Sequence, residues 1–407
     1  MRGSCDVAII GAGPYGLSLA AHLNALGVQF RIFGRPLDTW RNHMPKDMQL
    51  KSEGFASNLS APVPGSTLKA YCQARGLSYS DQNLPVPLDH FLSYAQWFRA
   101  RFVPMLEDCS ITALEKSRDG YTLETELGER FEAANVVMAV GITSFVHIPE
   151  NLLHLPMWAL SHSYDHRDVS QYKGREVTVL GSGASAIDLA VQLQDSGANV
   201  QILARSEAIR FHSAPDPEDS TLLRQLQRPS TGIGPGWRSF FCANTPLLFH
   251  RMPEALRLRA TRSHLGPAPG WFTRQRVEGR IPTLLGHKLE LAETQHGRVL
   301  LQVTDHKGIE KALITDHLIA ATGYRPDLAR LSFLSPVLRD HMAKVLNTPV
   351  LSDQFETSQR GLYAIGPLAA NSFGPLMRFM VGAEFAAPRV AAHLKRRLSA
   401  ARDRRAA

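Results

Sequence analysis

The sequence predicts an α/β fold carrying two Rossmann-like βαβ units, and three features support this. A glycine-rich turn, GAGPYG at 11–16, follows a short apolar run and precedes a longer amphipathic one. The same grammar returns 170 residues further on, where GSGASA begins at Gly181. Three more apolar runs each end at glycine, as strands of a largely buried parallel sheet do.

Taken in order, Cys5–Ile10 predicts a buried strand, 11–16 a tight turn, Leu17–Leu26 a helix stopped by Gly27, and Gln29–Phe33 a second strand. Val136–Val140, before Gly141, predicts another strand. The second copy reads Glu176–Leu180 as strand, 181–186 as turn, Ile187–Gln194 as helix stopped by Gly197, and Val200–Ala204 as strand. Residues 211–285, rich in Pro, Gly and aromatics and including SAPDPEDS, form a long insert with a helix at Pro246–His264. His317–Ala321 and Leu362–Ile365 predict two further strands, and Leu376–Leu394 a last helix kinked at Pro388.

The 407 residues suffice for two or three domains of ~150 residues each. A hydrophobic share of 44% and a charged share of 20% exclude wholesale disorder. No apolar run reaches the ~18 residues that span a bilayer. The N-terminus lacks a long apolar stretch ending in a small-residue cleavage site, so a cytoplasmic location with no membrane span is expected. Cys5, Cys72, Cys109 and Cys242 lie far apart, leaving no CxxC pair, short-spaced zinc site or disulfide scaffold. No metal site is readable.

The net charge is +8. Part of the excess lies in the tail, from Lys395 to Arg405, and suits a solvated helix C-terminus. Another part lies between Arg205 and Arg280, which hold 12 Arg, no Lys and 6 acidic residues. That imbalance suits phosphates or carboxylates bound locally; no nucleic-acid module is recognisable, so no nucleic-acid partner is expected.

A dinucleotide pyrophosphate is best held by a helix N-terminus, whose first N–H groups are unpaired and whose dipole end is positive. Gly11 supplies the turn, Gly13 lets backbone approach the pyrophosphate, and Gly16 lets helix pack on strand. Gly181, Gly183 and Ala186 take the same places in the second copy. The acidic residue that ends the second strand of such units is missing from both copies. Gly34 and Ala204 stand there, each followed by arginine, Arg35 or Arg205. In the second copy no carboxylate repels a ribose 2′-phosphate, and Arg205 with Ser206 can receive it, which favours NADPH over NADH. The alternative for Arg205 is a solvated strand-end cation. In the first copy an expected adenosine-ribose contact is lost, and Arg35 either compensates or does not.

VAIIGAGPYGLSLAAHL, VTVLGSGASAIDLA and DHLIAATGYRPDL resemble the class B flavoprotein monooxygenases. These include the flavin-containing monooxygenases and the microbial ornithine and lysine N-hydroxylases. The resemblance spans most of the chain and is weakest over 211–285. It implies an FAD-binding domain, 1–160 and 310–407, into which an NADPH-binding domain, 161–309, is inserted. It implies that Gly11, Gly13, Pro14, Tyr15, Gly16 and Arg35 hold FAD, while Gly181, Gly183, Ala184, Ser185, Arg205 and Ser206 hold NADPH. Trp40, Met48, Leu50 and Ser52 resemble the segment these families fold against the flavin. Gly366 and the helix begun by Leu376 would approach its pyrimidine end. Asp316–Tyr324 is similar to the N-hydroxylase pattern D-x3-L/F-ATGY, with Ala320 at the L/F place.

The chain also departs from the family. The linker pattern F-x-G-x-x-x-H-S-x-x-Y aligns on His162-Ser163, with Pro156, Trp158 and His166 replacing Phe, Gly and Tyr. The Baeyer–Villiger version expects Trp at position 166, which speaks against that activity. Gly366-Pro367 replaces the Gly-Asp of disulfide reductases, and with no CxxC this argues against thiol–disulfide reduction.

The resemblance thus implies an FAD-dependent, NADPH-consuming monooxygenase. It would use dioxygen and a flavin C4a-hydroperoxide to oxygenate an amine nitrogen or a sulfur of a small molecule. An NADPH reductase serving a quinone or protein acceptor is the alternative, and a non-catalytic dinucleotide sensor the second. Lys51, Ser52, Asn371 and Ser372 are the polar candidates beside the flavin, the last two being equally readable as helix caps. His162 reads as linker packing or as a proton donor. Trp237, Phe240, Phe241, Trp271 and Phe272 read as a cover over a carboxylate-bearing substrate, as core or as a dimer contact. A homo-oligomer is a further implication of the resemblance.

Overall fold

The computed structural model describes residues 3–214, 226–264 and 266–406. The last part of SAPDPEDS, from residue 215, therefore lies outside the described residues. β1 (Ser4–Ile10), β2 (Phe30–Phe33), β3 (Ile111–Lys116), β4 (Tyr121–Thr125) and β5 (Arg130–Met138) form a first sheet in the order β2-β1-β5-β4-β3. β1 is parallel to both β2 and β5, while β3 and β4 run antiparallel. Val7, Ala8 and Ile9 are fully buried because both faces of β1 are covered, which is why this strand reads as an unbroken apolar run.

α1 (Pro14–Ala25) starts on Gly13 with Pro14 in its first turn, where a missing N–H costs nothing. Its buried Ala20 and Ala21 belong to the same core as Ala383, Ala386 and Ala387 of the terminal helix Ala383–Ala406, small residues that let two helices approach closely. α2 (Asp38–Asn42), α3 (Leu68–Arg75) and α4 (Leu88–Phe102) complete this side, and Phe91, Tyr94 and Phe98 of α4 are fully buried.

The second sheet is wholly parallel. β6 (Leu160–His162), β7 (Glu176–Leu180), β8 (Asn199–Leu203) and β9 (Thr283–Leu284) join β13 (His317–Ala320) in the order β6-β13-β7-β8-β9. Its side chains alternate between two cores. Val177, Val179, Val200, Ile202 and Ile319 face α5 (Ala184–Asp195). Leu180, Leu203, Leu318 and Ala320 pack with an antiparallel sheet of β10 (His287–Gln295), β11 (Arg298–Asp305) and β12 (Glu310–Thr315). A hairpin, β14 (Lys344–Val345) and β15 (Thr348–Pro349), precedes β16 (Leu362–Ala364), which returns to the first sheet beside the last residues of β5.

Four expectations need correction. Residues 310–320, assigned to the first unit, belong to the second: β13 pairs with β7 and β6, and β12 pairs with β11. The 211–285 insert is shared between the units. Ile233, Cys242 and Phe249 join the first core, while Val277 and Ile281 join the second. The helix expected over Pro246–His264 is two, Pro246–His250 and Glu254–Ser263, because Pro253 lacks an N–H and interrupts it. The last helix begins at Ala383, not Leu376. Residues 375–378 and 380–382 make isolated turns, because the Tyr15 hydroxyl takes the carbonyls of Met377 and Phe379 and Phe379 is extended.

The backbone crosses between the sheets twice, and the crossings are bonded to each other. The His147 N–H donates to the Gly323 carbonyl (3.0 Å), the Arg325 N–H donates to the Phe145 carbonyl (2.7 Å), and Val146 bridges Tyr324. No described helix is long and apolar enough to cross a membrane.

Candidate functional site

Each sheet ends in a turn of the same construction. Gly11 has φ +115°, and a Cβ there would collide with the Ala139 carbonyl oxygen at the end of β5. A Cβ on Gly16 would collide with the Gly11 carbonyl oxygen, so α1 begins directly against the turn. Gly13 differs: its backbone is extended, and nothing lies within 4 Å of where its Cβ would stand. No side chain caps α1. The first N–H groups of the helix therefore meet no capping side chain and open space beside Gly13, the arrangement a diphosphate requires.

In the second copy Gly181 has φ +139°, and its Cβ would approach the Ala321 carbonyl oxygen at 2.6 Å. Gly183 begins α5 with no side-chain cap and open space before it. Ala186 is fully buried in the place of the third glycine. Ala184 and Ser185 form the first turn of α5. The Ser206 hydroxyl lies 2.7 Å from that of Ser182, which ties the end of β8 to the turn. Arg205 is exposed beside it and forms no ion pair among the described residues.

Tyr15 connects the first turn to the C-terminal part of the chain. Its hydroxyl donates towards the carbonyls of Phe379 (2.8 Å) and Met377 (3.1 Å), and its ring lies 3.3 Å from where a Gly366 Cβ would stand. Full burial pushes its phenol pKa well up, so it remains a donor. Tyr15 thus ties the buried Gly366 and the 376–379 segment to the first turn. Trp40 packs against Phe91 with ring centroids 4.9 Å apart. Met48–Leu50 runs as a short strand beside 86–88, with the Leu50 N–H donating to Val86 and the Leu88 N–H to Met48.

The side chains of Lys51, Ser52 and Asn371 are all engaged. The Lys51 ammonium donates to the Gln49 carbonyl and to Asp188 of α5, 2.7 Å in each case, and lies 5.1 Å from the centre of the Phe272 ring. The Ser57 hydroxyl donates to the Glu53 carbonyl, so the proton between Ser52 and Ser57, 2.8 Å apart, comes from Ser52. The Asn371 amide donates to the Thr348 hydroxyl (2.9 Å). Ser372 is buried, and its carbonyl faces His250 and Arg257. Neither Asn371 nor Ser372 caps the terminal helix, which begins eleven residues after Ser372.

The linker forms a buried polar hub. The His317 Nδ1–H donates to the Trp158 carbonyl, leaving His317 Nε2 to accept from Ser161, whose oxygen in turn accepts from His166 Nε2–H. His162 Nδ1 accepts from the Tyr164 N–H, and its ring stands edge-on to Tyr324. Burial pushes the pKa of both His162 and His166 down to about 4, so they are neutral packing groups at pH 7.

Of the insert aromatics, Phe241 packs against the first core, whereas Trp237 and Phe240 are exposed. Trp271 and Phe272 form one turn, Phe272 lying against Lys51. All four cysteines are buried and free, and burial pushes the Cys5 thiol up to about 12. Among the described residues no group of three or more His, Cys, Asp or Glu could hold a metal ion. Sequence reasoning missed the partner of Lys51. The only signal was a carboxylate, Asp188, on the otherwise apolar stretch AIDLAV.

A family described as pyridine nucleotide-disulphide oxidoreductase matches residues 8–225. Ferredoxin–NADP reductase 1 of Cupriavidus taiwanensis is 29% identical over 208 residues, 50% of this chain and 54% of that protein. The chain thus spans about half the length of the curated relatives it matches. Among solved structures, the ornithine N-hydroxylase of Kutzneria sp. 744 superposes with a TM-score of 0.77 at 16% identity, covering 97% of this chain and 100% of that one. The bacillithiol disulfide reductase of Staphylococcus aureus gives 0.64 at 17% identity, covering 97% and 98%. Those two likenesses establish the fold, and the fold serves both chemistries.

Proposed function

The chain belongs to the pyridine nucleotide-disulphide oxidoreductase family, and on that premise we propose that it is an FAD-dependent, NADPH-consuming monooxygenase that oxygenates an amine nitrogen or a sulfur of a small molecule with dioxygen. The observation that carries this reading is the pair of uncapped helix N-termini at Gly13 and Gly183, each bare on the crevice side. At equal coverage of the chain, the higher TM-score with the ornithine N-hydroxylase, 0.77 against 0.64 for the disulfide reductase, supports the choice of reaction. The buried, protonated cysteines count against thiol–disulfide exchange through this chain.

The chemistry FAD supplies when bound is the carriage of two electrons from NADPH to an acceptor. The protein's part is binding, orientation and exclusion of water. The 11–16 turn receives the FAD diphosphate, and the 181–186 turn receives that of NADPH. Arg205 takes the 2′-phosphate, which a carboxylate at position 204 would repel. Tyr15 holds Gly366 and Leu376 at the flavin end of the first crevice. Lys51 and Asp188 fix the 48–52 segment against the helix that carries NADPH. The helices Trp237–Asn244 and Pro246–His250 cover the 370–376 region and keep water from it. A cytoplasmic location belongs to the same reading.

The match to ferredoxin–NADP reductase favours, as a second reading, transfer of electrons to a protein or quinone acceptor. Purified protein decides between them. Under the first reading it is yellow, NADPH bleaches it, and rapid mixing of the reduced protein with oxygen yields a long-lived species spectrally distinct from oxidised and reduced flavin. Immediate return to oxidised flavin favours the reductase, and colourless protein that ignores NADPH defeats both.

A further inference from the structure

β2 ends at Phe33, where an acidic residue would ordinarily follow and receive the ribose hydroxyls of the dinucleotide. The structure shows why none does. Gly34 has φ +132°, and a Cβ there would stand 3.1 Å from the Ala12 nitrogen and 3.4 Å from the Gly11 Cα. Any side chain at this position is strained and crowded against the turn.

Another segment reaches the same place. Residues 105–109 run beside β2: the Gly34 N–H donates to the Glu107 carbonyl (3.1 Å), the Glu107 N–H donates to the Ile32 carbonyl (2.9 Å), and Phe33 bridges Glu107 in parallel register. The Glu107 carboxylate is spent on Arg31, at 2.6 and 2.7 Å. Successive side chains of an extended segment point to opposite sides. Asp108 accordingly lines a separate cavity of about 410 Å³ with Arg35, Pro36, Asp38, Arg41 and Glu126. Its lining residues Pro36 and Asp38 flank Leu37, whose N–H donates to the Ala12 carbonyl of the glycine turn (3.1 Å). Asp38 is held by Asn42 at 2.7 Å. Asp108 is exposed and pairs with no side chain among the described residues.

We propose that Asp108 supplies the ribose-binding carboxylate that β2 cannot carry, so that the adenosine half of the first dinucleotide is received by a loop outside the βαβ unit. This rests on the reading of the first crevice as the FAD site. A carboxylate has two oxygens that accept from the two ribose hydroxyls, whereas an amide has one.

The test measures FAD retention by the full-chain holoprotein on dilution, read by the fluorescence of released flavin, and FMN retention in the same way. FMN has no adenosine. Hydrogen bonds to a charged group are strong enough that Asp108→Asn should weaken FAD binding about tenfold. Asp108→Glu should recover part of the loss, and FMN binding should be unchanged. FAD retention equal to wild type in both Asp108→Asn and Asp108→Ala overturns the proposal while leaving the FAD reading intact. Equal losses of FAD and FMN overturn it too, since they mark a general disturbance. Wild-type protein that takes up no FAD overturns both readings.

Discussion

The Lys51 ammonium stands 2.7 Å from the Asp188 carboxylate, with less than a tenth of either side chain exposed. The pair joins the segment after Leu50 to the second turn of α5 and so spans the two units. Burial pushes the Asp188 carboxyl up, while Lys51 opposes that shift. Removing one partner leaves a buried charge alone, so Lys51→Met should cost roughly 3–5 kcal/mol. Lys51→Met combined with Asp188→Leu should recover most of it. Urea unfolding of the two singles and the double checks this, and additive losses would contradict it.

The glycines of each turn should separate stability from binding. Gly11→Ala meets both a positive φ and the Ala139 carbonyl, and should lower the melting temperature markedly. Gly13→Ala meets neither and should fold normally, yet its methyl group stands where the diphosphate would approach, so FAD should be lost. Gly183→Ala should keep FAD and weaken NADPH. Thermal melts beside flavin content and coenzyme titrations provide the readout.

Arg205 should discriminate between coenzymes. Loss of a charge-assisted phosphate contact is worth about 1.5–3 kcal/mol, so Arg205→Ala should raise the KM for NADPH roughly tenfold or more. The KM for NADH should hardly move. Equal changes in both would remove the 2′-phosphate from this position.

The linker histidines should make the fold acid-labile in a defined range. Folded His162 and His166 titrate near 4, against 6.5 for the unfolded chain. Below pH 6.5 the unfolded state binds protons that the folded state refuses. Their contribution is therefore complete above pH 6.5 and lost as the pH falls towards 4. Melting temperature against pH should show that slope, and His166→Phe should flatten part of it. A profile level between pH 6.5 and 4.5 would count against the assignment.

Both glycine turns were legible in the sequence because they are local. A strand, a φ above zero and an open helix N-terminus leave a mark within twenty residues. The allegiance of 310–320 was not legible, because a strand carries no record in its own sequence of which neighbour it pairs with, whether antiparallel as in β12 or parallel as in β13. The start of the last helix was hidden for a related reason: Tyr15, more than 350 residues away, takes the carbonyls of Met377 and Phe379. Lys51 and Asp188 each looked like an isolated charge, and only their meeting makes the burial of either affordable. Gly34 was visible as a missing acid, but its crowding against Ala12 appears only in three dimensions.

The bonded crossings at 145–147 and 323–325 restrict how the halves can move. Two segments laced side by side form a strap that twists or bends as one piece, whereas a lone tether would let one half swing freely. The buried Lys51–Asp188 pair and the shared insert hold the same halves at other points, so any rocking about this strap has to part that pair. A protease nick in either crossing should leave the halves attached through the other and through the shared 211–285 insert.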